Sequence, residues 1–319
     1  PSWMQLPTSK QVGGEYQYVR HLCTLRDGVE VNIWAVFWQN AKRWPVGGSD
    51  RLMLNVSIVD PSLSFLRCAA WSQPPGGLQQ VSLQIGFHST SVYSASAEHL
   101  PFLCMGDVVR AHRVLVHSNH PYLDLRQQRY SAVVQFQDAE DVDEAEAEGL
   151  DAQVDFLQRS LSGVGQDTRG PRDGERAREL RDWVRSRLEH ETMSRYLGTI
   201  ADLQRQGPAW SGDVVAGVVE VREASCAIAV HDGSTDEPLL VEVSQPPAAA
   251  AWLLAHVKVG HWLKLRNVSP MGADGAARAS AATVTRIPGW CWDVKQRERA
   301  LRARGGERAT PTSQIKEEP

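Results

Sequence analysis

The sequence has no run of about 18 apolar residues, the length that a membrane-crossing helix needs. It also has no CxxC pair. Its five cysteines, Cys23, Cys68, Cys104, Cys226 and Cys291, are scattered and odd in number. That pattern fits buried thiols in a reducing compartment better than a disulfide framework or a structural zinc. Catalytic signatures are missing too: there is no Gly-rich phosphate loop, no HExxH and no GxSxG. The tightest histidine group is His112, His117 and His120, whose spacing is not that of a zinc site. No catalytic residue, metal or cofactor is therefore expected, and the chain is not expected to be an enzyme. Nor does one sign of charge dominate, since the net charge is −4. This excludes a uniformly basic protein but leaves room for a local basic patch. The chain begins at Pro1, so targeting segments are not legible.

What is present is short β-rich runs between turn signals. In the first part these are Glu30 to Trp38, Leu52 to Val59, Ser64 to Trp71, Val81 to Phe87, Val108 to His117 and Ser131 to Gln137. Strands of this length and spacing predict a sandwich or barrel. Asp138 to Asp151 follows with eight acidic and no basic residues, the composition of a solvated linker or of a partner-facing acidic segment. Leu180, Trp183, Val184, Leu188, Tyr196, Leu197, Ile200 and Leu203 predict a helix over 176–205, with Thr199 to Gln206 a separate short helix if Gly198 interrupts it. From Trp210 to Trp290 the chain is β-rich again, with predicted strands at Val214 to Val221, Cys226 to His231, Leu239 to Val243, Trp262 to Val268 and Ala282 to Ile287. A predicted helix over Ala248 to His256 precedes the fourth of these. Five strands with a helix before the fourth is the order of an oligonucleotide-binding (OB) barrel. The predicted fold is therefore mainly β. Two tandem OB-fold barrels, at 1–137 and 207–290, are joined by an acidic, flexible linker at 138–175 and a helical segment at 176–206. A polar, Arg-rich tail fills 291–319. Gly106-Asp107-Val108-Val109 and Gly212-Asp213-Val214-Val215 read as matching strand starts.

Aromatic and basic residues interleave in the first part. Trp34, Trp38, Trp44, Trp71, Phe87, Tyr93, Tyr122 and Tyr130 lie among Lys42, Arg43, Arg51, Arg67, Arg110, Arg113, Arg126 and Arg129. Over residues 16–137 ten Lys/Arg face seven Asp/Glu, a net of +3; over 209–290 six face eight, a net of −2. Aromatic faces stack on unpaired bases while Lys and Arg neutralise phosphates, so the first part is the better candidate for single-stranded nucleic acid. The competing reading places these aromatics in the barrel core, most of all Trp34.

Several pieces, in this order, resemble the telomere single-strand-binding family of the protection-of-telomeres protein and the telomere end-binding protein alpha subunit. Tyr16-Gln17-Tyr18 before Gly28 to Trp34 resembles the family's opening strand. Gly48-Ser49-Asp50 with Ser57 to Asp60 resembles its second strand, and Leu66 to Ser72 its third. Gly106 to Arg113 is the most specific match. Leu180 to Trp183 resembles the linker helix, Val230 to Ser234 a Trp-Asp-Gly-Thr turn, and His256 to Leu263 the approach to the second barrel's fourth strand. About twenty additional residues separate Trp71 from Gly106. Ser244-Gln245-Pro246-Pro247 replaces an aromatic and polar cluster, and Arg266 a tyrosine.

The resemblance implies a protein of chromosome ends in the nucleus that binds G-rich single-stranded telomeric DNA. It would protect the 3′ overhang, act at the junction of duplex and overhang, and regulate telomerase access. It also implies a telomere protein partner, through regions not identifiable in these residues. The implied nucleic-acid contacts are Tyr16, Lys42, Arg43, Asp50, Trp71, Arg110, His112, Arg113, Tyr122, Lys264 and Arg266. Trp71 would stack on a base and Asp50 would read a base edge. Arg110, His112 and Arg113 would hold a phosphate, such as a terminal 5′ phosphate. Two other readings stay open. One is a general single-strand-binding subunit of a replication or repair complex, marked by no preference for G-rich repeats. The other is a protein-interaction module, marked by no salt-dependent affinity for nucleic acid. Ile315-Lys316-Glu317-Glu318 also matches a short lysine-modification pattern.

Overall fold

The structure is a computed structural model. It describes residues 16–17, 25–45, 52–61, 80–85, 102–119, 122–126, 132–138, 156–160, 172–190, 192–193, 197–206, 211–244, 247–271, 276–280 and 283–304. The first unit contains strands β1 (Tyr16–Gln17), β2 (Glu30–Pro45), β3 (Leu52–Val59), β4 (Gln80–Ile85), β5 (Val108–Asn119) and β6 (Tyr122–Arg126). The hydrogen-bonded order β2-β3-β4-β6-β5 returns to β2, so five strands close on themselves. Within that ring only β4 and β6 run parallel. Strand order one-two-three-five-four is the OB ring. Alternate residues of a strand face opposite sides, so Val31, Ile33, Ala35 and Phe37 fill the barrel with Val109, Ala111 and Val114.

The other face of β2 and β5 is apolar as well, and this is what the helical segment covers. Trp34, Val36, Val108 and Phe136 pack with Ala177, Leu180, Val184 and Leu188 of helix α1 (Asp173–Leu188). Those four helix positions recur at three- and four-residue spacing, one stripe of a helix. Two strands extend the sheet beyond the barrel: β7 (Ala132–Asp138) pairs with β5, and β8 (Phe156–Ser160) pairs with β7.

The second unit begins with β9 (Leu197–Gly198) and the short helix α2 (Ile200–Arg205). Its barrel is β10 (Gly212–Arg222), β11 (Ala227–His231), β12 (Leu239–Ser244), β13 (Trp262–Pro270) and β14 (Ala277–Ser280), in the same closed order. Helix α3 (Pro247–His256) precedes the fourth strand. Strand β15 (Val284–Ile287) flanks β13, and helix α4 (Trp292–Ala303) follows.

The two units repeat each other in detail. A two-residue strand runs parallel to the first barrel strand in both, Tyr16 opposite Asn32 and Leu197 opposite Asp213. The register between first and fourth strands slips by one residue in both. Val31 pairs with Val114 but Ile33 with Ala111; Gly212 pairs with Val268 but Val214 with Leu265. The additional fourth-strand residue takes the left-handed backbone, Arg113 at φ 54° and Asn267 at φ 53°, which is a β-bulge. Its N–H donates to the side chain facing it: Arg113 N to Asn32 Oδ1 at 2.9 Å, Asn267 N to Asp213 Oδ1 at 3.0 Å. Sixth strands β7 and β15 occupy the same edge, Arg110 opposite Val134 and Lys264 opposite Thr285.

Several expectations change. The third barrel strand is Gln80–Ile85, not the run ending at Trp71; Leu66 to Ser72 lies outside the described residues. The fifth strands are Tyr122–Arg126 and Ala277–Ser280, neither anticipated, while the predicted strand at Ala282 to Ile287 becomes the sixth. The helix predicted over 176–205 stops at Leu188, and Ile200–Arg205 is separate. The expected tail is helical over Trp292–Ala303, because Val294 and Asp293 are buried and the Asp293 carboxylate accepts from Thr192 Oγ1 and Met193 N. The acidic linker starts on a structured residue: Asp138 ends β7, is buried and ion-paired with Arg181 of α1. The two Gly-Asp motifs are not equivalent either, for one precedes a fourth strand and the other opens a first.

The units touch directly. Met105 N donates to Arg286 O at 2.9 Å, and Cys104 bridges to Arg286. Gly106, at φ 99°, lies against Trp290, whose ring a Cβ there would meet at 3.4 Å. Within the second unit Gly233 (φ 79°) lies so close to α4 that a Cβ would fall 2.7 Å from Leu301 N. The predicted Val230 to Ser234 turn is thus a joint. Asp232 Oδ2 accepts from Ile200 N at 2.9 Å and Ser234 Oγ from Ala201 N at 2.9 Å, capping α2.

Candidate nucleic-acid interface

The fourth strand of the first barrel gathers three of the expected contacts. Arg110 and His112 are two apart and share the outer face, as strand geometry requires. The Tyr16 hydroxyl is hydrogen-bonded to His112 Nε2, and the rings meet edge-on at 5.1 Å. Trp34, cross-strand from Arg110, forms the floor: its ring lies 5.7 Å from Tyr16 and 5.2 Å from Phe136, with the Arg110 guanidinium 5.9 Å away. Trp34 is buried, as the core reading held. It nonetheless lies in the layer between barrel and helix α1, not in the barrel interior.

Arg110 and Arg113 differ in what they can do. Arg110 is 1% exposed and ion-paired with Asp173, the first residue of α1. Removing one partner of such a pair leaves a buried charge, at a cost of roughly 3–5 kcal/mol. Arg110 is therefore placed as a strut between barrel and helix. Arg113 projects from the bulge, with 53% of its side chain exposed. Its Nε donates to Glu30 Oε1 at 2.9 Å. An exposed pair like this contributes only about 0–1 kcal/mol, so a phosphate can displace Glu30.

Burial raises the Tyr16 hydroxyl above its ordinary pKa, with Asp173 adding to the shift while Arg110 and a Trp34 hydrogen bond oppose it. Burial also lowers His112, assisted by Arg110 and opposed by Asp173. Near neutral pH the ring is uncharged, and the site presents Arg113, a neutral imidazole and a phenol.

The other expected contacts lie elsewhere. Lys42 and Arg43 are on β2 opposite Asn55 and Leu54, and Tyr122 opens β6 opposite Gln80 and Asn119. Asp50 and Trp71 lie outside the described residues, as do Ile315 to Glu318. Lys264 and Arg266 sit on β13. Lys264 is buried at 4% exposure; Arg266 is 31% exposed, with Nε 3.8 Å from Asp213 Oδ2. Sequence reasoning missed Asp173, 63 residues from its partner, and Asn32, whose amide holds the bulge. Asp173 carries one legible signal, an acidic residue in a helix first turn. Among the described residues no group of three or more His, Cys, Asp or Glu is placed to hold a metal.

No protein-family model and no curated protein sequence matches the chain. Among solved structures it is similar to a crystal structure of fission yeast Pot1 with single-stranded DNA: 10% identity, covering 92% of this chain and 95% of that one, TM-score 0.36. A second similar structure is a Pot1 (protection of telomere) complex with single-stranded DNA, 15% identical, covering 53% and 84%, TM-score 0.34. A third is a replication protein A heterotrimer bound to single-stranded DNA, 9% identical, covering 92% and 73%, TM-score 0.29.

Proposed function

We propose that the chain binds single-stranded nucleic acid through its first barrel, and that its ligand is the G-rich strand of a chromosome end. The observation that carries this reading is the site on the fourth strand, where a bulge presents Arg113 beside Tyr16 and His112 on a closed OB barrel. Strand β2 also carries Trp38, Lys42, Arg43 and Trp44, the residue types that stack on bases and neutralise phosphates. The sequence resemblance points the same way and adds the finer parts: nuclear location, protection of the 3′ overhang, control of telomerase access, and a terminal 5′ phosphate held at the duplex junction by Arg113 and His112. The role is recognition without chemistry.

A protein-interaction module is the second reading. The second barrel favours it, because β10, β11, β12 and β14 contain no Phe, Tyr or Trp to stack on a base. Fluorescence anisotropy separates the two readings. The proposal expects salt-dependent binding that prefers G-rich over C-rich and scrambled single strands. Binding without sequence preference points to a general single-strand binder, and absence of any binding sinks nucleic-acid recognition altogether.

A further inference from the structure

The joint between the units is built on a turn of the first barrel, and the second barrel repeats that turn. Gly106 (φ 99°) donates its N–H to Phe37 O at 3.0 Å, and Gly260 (φ 90°) donates its own to Val218 O at 2.8 Å. Just past Phe37 and Val218 the register with the second strand slips, so Trp38 and Val219 are bulged residues at matching places. Met105 therefore corresponds to Val259, and Trp38 to Val219. Their surroundings differ. Met105 is 1% exposed: its N–H donates to Arg286 O, and Ile287 of β15 lies in the same cluster, against which Trp38 packs half-buried. Val259 and Val219 are 54% and 38% exposed, and Lys258 and Gly260 are exposed beside them. Among the described residues nothing accepts a hydrogen bond from Val259 N.

We propose that the second turn docks an extended strand of a partner protein, as the first turn docks β15. The partner's strand offers a backbone carbonyl to Val259 N and covers Val219 and Val259 with apolar side chains. Main-chain hydrogen bonding beside apolar contacts is how an added strand is held. The site is continuous with the joint that the chain already contains. The Phe102 ring, three residues before Met105, lies 6.0 Å from that of His256 and is stacked on His261 at 6.4 Å, and these two histidines flank the turn on either side. A strand seated on Val259 thus extends an existing seam. A second copy of the chain has no β15 to offer, because in each copy that strand already lies against Cys104 and Met105 of its own first barrel. The occupant is therefore a different protein with a β-edge of the same kind. The inference stands apart from the reading of the first barrel as a single-strand binder.

The chain supplies its own probe, a synthetic peptide of Thr283 to Trp290, which includes the carbonyl and the ring that close the first turn. Added to the full chain, the peptide is expected to slow amide exchange at Val259, read by hydrogen-exchange mass spectrometry, and to leave the occupied turn at Met105 unchanged. Val219→Asp and Val259→Asp are each expected to weaken peptide binding by about tenfold or more, since each brings an unpaired carboxylate into the contact. Both positions are exposed, so thermal melts should match wild type; Val259→Ser serves if either variant melts early. No slowing of exchange at Val259 with saturating peptide overturns the proposal, and so does slowing that persists in both variants. Sedimentation of the full chain alone tests the other occupant. A dimer that Val259→Asp dissolves assigns the turn to a second copy and overturns the partner, whereas a monomer at every concentration supports it.

Discussion

The two units share a backbone almost residue for residue where the first and fourth strands meet, yet the side chains they carry there differ. Tyr16, Trp34 and His112 stand where Leu197, Val215 and Arg266 stand in the second unit. The outer faces differ likewise. In the second barrel Arg222 pairs with Glu220 at 2.7 Å, and Arg278 approaches Glu242 across β12 and β14 at 4.0 Å. The lesson is that strand pairing and bulge fix where a ligand can sit, whereas the side chains at six or so positions decide which ligand. The bulge is common to both, so it belongs to the scaffold. The rings of Tyr16, Trp34 and His112 have no counterpart at the matching positions of the second unit, which instead carries Trp262 where the first unit has Val108.

The largest expected effect tests whether the aromatic floor is also the mechanical joint. Trp34→Ala is expected to destabilise the protein by about 3–5 kcal/mol, because the ring fills the layer between β2 and α1. Val215→Ala, at the matching position, removes far fewer atoms and is expected to be much milder. Denaturant melts of the pair check this; equal losses break the comparison. Similar in size is Asp173→Ala, which strands Arg110 without its ion-pair partner, expected to lose about 3–5 kcal/mol. Replacing both residues by apolar ones of similar volume should recover much of that loss, and failure to recover any would mean that Arg110 does more than brace the helix.

Much of the scaffold is legible in the sequence, and what is not has physical causes. Alternating runs such as Glu30 to Trp38 and Leu52 to Val59 announce themselves because one face is buried. Ala277–Ser280 does not, since its alternation spans only four residues and its buried members are alanines among neighbouring glycines and alanines. Tyr122–Arg126 is only one residue longer. The repeat itself is hidden by chemical substitution. Gly106-Asp107 invites comparison with Gly212-Asp213, but its counterpart is Gly260-His261. Gly106 N donates to Phe37 O and Gly260 N to Val218 O, the matching residue. Asp107 Oδ2 then accepts from Cys104 N at 2.7 Å, as His261 Nδ1 accepts from Lys258 N at 3.1 Å. A carboxylate and an imidazole do the same work there, which residue identity cannot reveal. The expected site was legible in part. Spacing alone put Arg110 and His112 on one face, but the burial of Arg110 depends on a helix that begins 63 residues later.

A smaller effect separates Arg113 from its buried neighbour. Arg113→Ala removes an exposed pair with Glu30, so stability should change by less than about 1 kcal/mol. Binding should respond more: the preference for a 5′-phosphorylated junction over its dephosphorylated form is expected to vanish, and the salt slope to fall by about 0.7. A folded Arg113→Ala protein that keeps the phosphate preference would move the site elsewhere on the barrel.

The smallest expected effect is one of pH, and only the first unit should have it, because only there does a titrating ring occupy the position before the bulge. Burial, then Arg110, hold the His112 pKa below its ordinary value, with Asp173 opposing, so the free protein carries the ring neutral. In the absence of ligand this contributes stability above the unfolded pKa of about 6.5, which is lost as pH falls through the lower folded value. A phosphate brought against the ring favours its protonated form and raises its pKa. Binding then takes up a proton, so the phosphate-dependent part of the affinity should grow as pH falls from neutrality toward 6. The phosphate itself titrates near pH 6 and opposes this, so the informative quantity is the difference between wild type and His112→Gln at each pH. That difference should widen on acidification. Parallel pH profiles for wild type and His112→Gln would remove the imidazole from the phosphate site and leave Arg113 as its charge.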